Sequence, residues 1–206
     1  MKSMLKDAMI LFLITVLAGG ILGTVYQITK EPIAKQEEKA KKEAYQEVFA
    51  TADSFEATEK ISVEKATKYV RENGFSGQSF DDEIMEAKDS SGNLLGYVLT
   101  VVTSEGYGGN ITFAMGISLD GTLNGISLLS ISETPGLGME AESVLVPQFK
   151  EKTVPQFEYT KSGAVSDSQI DAISGATITT NAIVNGVNSG LSLFRDVLKE
   201  GGSSNE

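Results

Sequence analysis

Cysteine and histidine are both missing from this 206-residue chain. Their absence removes thiolate nucleophiles, disulfides, Ser-His-Asp triads and imidazole proton shuttles. It also removes haem ligation by histidine and the usual zinc and iron–sulfur ligand sets. Any redox chemistry must therefore use an organic cofactor. The lack of cysteine leaves the redox compartment open, although it suits an exported domain that needs no disulfide. Positive charge is scarce as well: 17 Lys and Arg stand against 28 Asp and Glu, a formal net charge of −11. So acidic a surface does not suit nucleic acid or an anionic headgroup plane, and no nucleic-acid partner is expected. No pair of carboxylates stands out from this acidic background by its spacing, which argues against glycosidase-type chemistry.

What the chain does have is a long uncharged run. Ala8 to Thr29 carry no charge, and the apolar residues extend from Met9 to Ile28. At ~1.5 Å per helical residue this crosses a hydrocarbon core of ~30 Å. A secretory signal would have a shorter apolar core and a small-residue cleavage site, for which Val16-Leu17-Ala18 could serve. The apolar stretch continues past it through Ile21, Leu22, Val25 and Ile28, which favours an uncleaved anchor. A buried core helix would show a polar face, and this segment has none. Lysines lie on both sides: Lys2 and Lys6 before the run, and Lys30, Lys35, Lys39, Lys41 and Lys42 after it. Lysine count alone would keep the following domain in the cytoplasm, a rule that weakens for long folded domains.

Beyond the anchor, the pattern predicts a charged helix over Glu31–Ala50, with Pro32 in its first turn and docking through Tyr45 and Phe49. A second helix is expected over Val63–Asn73, ended by Gly74. Strands are expected over Ile84–Lys88 and Leu94–Thr103, joined by the turn Asp89–Asn93. A further pair, Ile111–Leu119 and Leu123–Ser130, surrounds the hairpin dipeptide Asp120-Gly121. Near the C-terminus Ile183, Val184, Val187, Leu191, Phe194, Val197 and Leu198 share one helical face. Short antiparallel strands flanked by helices define an α+β domain. The expected organisation is a stub and transmembrane anchor over 1–29, one domain over 30–200, and a disordered tail over 201–206.

The strongest chemical signal is Asp171-Ala172-Ile173-Ser174-Gly175-Ala176-Thr177-Ile178-Thr179-Thr180, directly before the last helix. Gly175 and Ala176 let a bulky group approach the backbone, and hydroxyls cluster on Ser174, Thr177, Thr179 and Thr180. The helix that follows offers unpaired N–H groups and the positive end of its dipole, a seat for phosphate. A Ser/Thr-rich N-cap of an ordinary helix would look the same. Two glycine-rich loops precede this segment. Ser132-Glu133-Thr134-Pro135-Gly136-Leu137-Gly138 reads as a turn after a strand. Gly106-Tyr107-Gly108-Gly109 lacks the Lys-Ser/Thr of a phosphate loop.

The stretch D-A-I-S-G-A-T-I-T resembles the flavinylation motif of the FMN-binding domain family. Over its whole length the chain is similar to RnfG-type subunits of Rnf complexes, and it resembles their NqrC counterparts in sodium-pumping NADH:quinone reductases. The resemblance implies FMN held covalently by a phosphoester to Thr177, with Ser174, Gly175, Ala176 and Thr179 around it. It implies that Glu133, Thr134, Leu137 and Gly138 line the flavin ring, with Leu137 against the isoalloxazine, and that Tyr107 and Gly108 form a third wall. Asp171 would be read by the flavin transferase that installs FMN. A transferase is required in any case, because threonine is a weak nucleophile and no histidine is present to activate it. The family further implies other members of the Rnf-type membrane complex as partners and electron transfer between ferredoxin and NAD coupled to Na+ or H+ transport. It also implies that the FMN domain faces the extracytoplasmic side, against the lysine count. The compact length favours the RnfG-type over the NqrC-type reading. A cofactor-free anchored binding or assembly module is the alternative of another class.

Overall fold

The computed structural model describes residues 2–199, and the expected 201–206 tail lies outside them. Two compact units are present, one ending at Ala40 and one starting at Lys41.

Helix α1 runs from Lys2 to Val48 without a break. Pro32 therefore lies inside a helix and does not start one. Its missing N–H forfeits one intrahelical bond, a local loss within a helix whose other residues can still pair. Every side chain from Ala8 to Ile28 is exposed. The hydroxyls within the apolar run turn back on the backbone: Thr15 Oγ donates to Leu11 O at 3.1 Å and Thr24 Oγ to Gly20 O at 2.8 Å. A segment that satisfies its own polar groups in this way is suited to lipid.

In the second unit β1 (Ser54–Ala57), α2 (Val63–Glu72), β2 (Gln78–Phe80) and β3 (Met85–Lys88) lead into the long strands β4 (Leu94–Thr103), β5 (Ile111–Ser118) and β6 (Leu123–Ser130). All pair antiparallel in the order β1-β3-β4-β5-β6, and β2 pairs with β4 beyond the end of β3. Local chemistry explains the boundaries. Ser62 caps α2 by accepting from Lys65 N, and the Asn73 N–H closes its C-terminus on Tyr69 O and Val70 O. Asp89 folds the β3–β4 turn by accepting from the Ser91 and Asn93 N–H groups, both at 2.8 Å. Asp120 does the same for Thr122 in the β5–β6 hairpin.

A short α3 (Ala141–Val144) and a parallel pair, β7 (Glu158–Thr160) and β8 (Gln169–Asp171), follow the long strands. Helix α4 (Thr177–Leu193) then covers one face of the sheet and ends in a π-helical turn, Phe194–Leu198. Ile183, Val184, Val187, Leu191, Phe194 and Leu198 are buried, as the periodicity predicts, and Val197 is partly buried. The architecture is the expected α+β domain behind an N-terminal apolar helix.

The opposite face of the sheet receives the C-terminal end of α1. Ala44, Tyr45, Val48, Phe49 and Ala52 pack with Ala87, Val98 and Ala114 in a second small core. Tyr45 and Phe49 are the docking residues expected from the sequence. Ser127 Oγ donates to Glu47 Oε2 at 2.5 Å, Lys41 pairs with Asp82, and the Tyr45 hydroxyl bonds Thr100 Oγ at 2.8 Å. Burial pushes the Tyr45 phenol above its ordinary range; the Thr100 bond lowers it by less, and Asp81 adds to the rise. An acid that holds its proton more tightly in the folded state stabilises the fold fully below its unfolded value, near 10, and progressively loses that contribution above it. Thermal melts are therefore expected to fall as pH climbs beyond ~10. Tyr45→Phe should flatten part of that fall and cost ~1 kcal/mol at neutral pH through the lost Thr100 bond.

Candidate functional site

Three loops converge beside the N-terminus of α4. They enclose a cleft of about 510 Å³ lined by Tyr107, Glu133, Thr134, Leu137, Gly138, Gly175, Ala176, Thr177 and Ile178. That volume falls within the ~300–1,000 Å³ common for small-molecule sites. The three segments singled out in the sequence thus meet in one place.

The wall that carries Thr177 is built as follows. β8 ends at Asp171, and the chain turns through Ser174-Gly175 into α4. Gly175 adopts φ +77°, and a Cβ there would come 3.0 Å from Leu137 Cδ2, so glycine is what allows the turn to lie against the facing loop. The residue capping α4 is Ala176, with no side-chain hydrogen bond to the first turn. The Ser/Thr-cap reading of this segment therefore fails. The first hydroxyl to bond the backbone here is that of Thr180, which accepts from Ile173 N at 3.1 Å and donates to Ala176 O at 3.0 Å. Thr180 pins the turn and leaves the helix N-terminus open. Thr177 stands at that open end, half-buried and facing the cleft.

The facing loop folds on its own backbone, with Leu137 N and Met139 N both donating to Thr134 O. Leu137 is 39% exposed, Ile178 52% and Tyr107 71%. Large apolar groups left half in water around one cleft are placed to cover a flat, apolar ligand. Ile178 is the member that the motifs do not single out. It lies off the buried stripe of α4, and a large apolar residue off the stripe of an otherwise amphipathic helix is the signal that could have found it.

Four expected site residues lie elsewhere. Thr179 is only 1% exposed and packs behind Gly138, where a Cβ would come 2.6 Å from its Oγ. Its hydroxyl is turned into the core because two residues on from Thr177 the helix has rotated away from the cleft. Ser174 is exposed and does not line the cleft. Gly108 belongs to the loop behind Tyr107 and donates its N–H to Glu133 Oε1 at 3.2 Å. The Asp171 carboxylate accepts from Ala164 N at 2.6 Å and so clips the 161–168 loop to β8, while its backbone exchanges bonds with the Gln148 side chain. Among the described residues no His/Cys/Asp/Glu cluster could hold a metal ion.

Comparison with known proteins places the chain in a family. Residues 106–192, which include all three loops, match the FMN-binding domain family, and residues 1–48 match the RnfG N-terminal region. The G subunit of the Na+-translocating ferredoxin:NAD+ oxidoreductase complex of Acetobacterium woodii is 32% identical, over 96% of this chain and 95% of that protein. The G subunit of the ion-translocating oxidoreductase complex of Methanosarcina acetivorans is 30% identical, over 91% and 93%. Among solved structures, Shewanella oneidensis NqrC aligns at 18% identity with a TM-score of 0.47, covering 72% of this chain and 70% of that one. The chain belongs to the RnfG family, the G subunits of ion-translocating oxidoreductase complexes. The uncharged, apolar N-terminal stretch of α1 and this membership together support membrane association.

Proposed function

We propose that this chain is the electron-relaying flavoprotein subunit of a membrane-bound ferredoxin:NAD oxidoreductase coupled to Na+ or H+ transport, with one FMN joined to Thr177 by a phosphoester. The observation that carries this reading is the placement of a half-buried threonine at an open helix N-terminus, inside a cleft rimmed by Leu137, Ile178 and Tyr107.

The residues fit such a group. Unpaired N–H groups and the dipole of the 17-residue α4 favour a phosphate beside Thr177. Leu137, Ile178 and Tyr107 offer apolar surface around the cleft for a flavin ring to lie against. FMN supplies reversible electron transfer, and the protein supplies position and insulation. Covalent attachment keeps the carrier from diffusing away. The partners on this reading are sister subunits of an Rnf-type complex and, during maturation, a flavin transferase that brings an activated flavin nucleotide to the threonine. Asp171 would serve the transferase through the loop that it orders, since its carboxylate is already engaged with Ala164. The anchor and stub occupy 1–29, the FMN domain follows over 30–200, and it lies on the extracytoplasmic side.

Two measurements test this. Full-length protein co-produced with a flavin transferase should fluoresce as a band on a denaturing gel, and the peptide containing Asp171 to Arg195 should gain the mass of one FMN less one water. An unmodified peptide from such material would overturn the cofactor assignment. Protease added to intact protoplasts should digest the domain, and survival of the domain would reverse the orientation.

A further inference from the structure

Glu133 is the only carboxylate among the residues lining the cleft, and none of them is basic. It is 7% exposed, and Gly108 N donates to its Oε1 at 3.2 Å. A buried carboxylate carries a large desolvation cost unless its interactions offset it. The surrounding backbone is shaped to admit this side chain. A Cβ on Gly106 would come 2.8 Å from Glu133 Oε1, and one on Gly138 would come 2.6 Å from Glu133 Cβ. Two of the three cleft walls therefore close around Glu133. A neutral glutamine would present the same acceptor to Gly108. What the carboxylate adds is charge, in the wall of a cleft without a lining cation.

We propose that Glu133 is a positioning residue with an electrostatic function: it ties Gly106–Gly109 to the Ser132–Gly138 loop, and its negative charge lowers the reduction potential of a flavin held in the cleft. The inference rests on FMN occupying the cleft as described above. Adding an electron to a ring beside a fixed negative charge is opposed by Coulomb repulsion, which is stronger where water is excluded and no counter-charge is near. The flavin is thereby made a stronger reductant.

The test uses the full-length flavinylated chain and its Glu133→Gln, Glu133→Asp and Glu133→Ala variants. Midpoint potentials come from spectroelectrochemical titration, and loop order from chymotryptic cleavage at Tyr107. Glu133→Gln should move the potential in the positive direction and leave cleavage at the wild-type rate, because the Gly108 acceptor survives. Glu133→Asp, which keeps the charge, should stay near the wild-type potential. Glu133→Ala should shift the potential as glutamine does and raise cleavage about tenfold, the loss expected for a hydrogen bond to a charged group. Should Glu133→Gln fail to fold, the Asp and Ala variants make the same comparison of charge kept against charge removed. Flavinylated Glu133→Gln and Glu133→Ala variants whose potentials match that of the wild type overturn the electrostatic claim and leave the cofactor assignment intact. A wild type that accepts no flavin overturns both.

Discussion

Thr177→Val is expected to abolish covalent flavin completely while leaving the fold in place. Valine reproduces the shape of threonine and removes only the hydroxyl, and the position is half-buried at a helix end, so stability should change by less than ~1 kcal/mol. The loss should be total because the neighbouring hydroxyls cannot take over. Thr179 is buried behind Gly138, and Thr180 is fully buried with its hydroxyl committed to Ile173 and Ala176. Fluorescence on a denaturing gel reads the attachment, and a thermal melt reads the fold. A fluorescent band of undiminished intensity from the valine variant would move the attachment to Ser174, the remaining exposed hydroxyl of the turn.

Gly116→Val should strongly destabilise the junction of α1 and the sheet. Gly116 lies on β5 under the last turn of α1, and a Cβ there would come 2.4 Å from Val48 O and 3.1 Å from Val48 Cβ. The nearest obstacle is backbone, which cannot swing aside as a long side chain would. Either β5 distorts or α1 lifts, and lifting exposes Tyr45, Val48 and Phe49, each 5% exposed or less. The cost is about 3 kcal/mol, at the upper end for overpacking. For a domain of this size that lowers the melting temperature by roughly 6–12 °C. Calorimetry of the full chain, read at the transition of the unit from Lys41 onward, would measure it, and a melt within 1–2 °C of wild type would show that the seat tolerates separation (each kcal/mol is worth about 2–4 °C).

How much of the fold is legible in the sequence depends on local chemistry. β4 and β6 fall on the expected residues because Asp89–Asn93 and Asp120-Gly121 bracket them with turns that fold on their own side chains. β1, β2, β7 and β8 escape a pattern-based reading: strands of three or four residues carry too few side chains to show an alternation. Pro32 suggests a helix start because proline favours that position, yet intact helix on both sides outweighs one lost hydrogen bond. At the site, the motifs locate the three walls, whereas the division between cleft-facing and core-facing residues cannot be seen in them. Thr177, Thr179 and Thr180 are the same residue type within four positions, and helical rotation alone decides which hydroxyl meets the cleft. Glu133 is expected near the ring, but the two glycines that make room for it are far apart in sequence.

The alanine that caps α4 has a consequence for cofactor loading. A serine, threonine or aspartate there would satisfy the first turn and steady the chain by about 1 kcal/mol on its own. The alanine leaves those amides in search of an acceptor. On the proposed attachment to Thr177, the phosphate of the esterified nucleotide would do the work of the missing cap. The unloaded polypeptide would then be the frailer form, and flavinylation should raise its melting temperature.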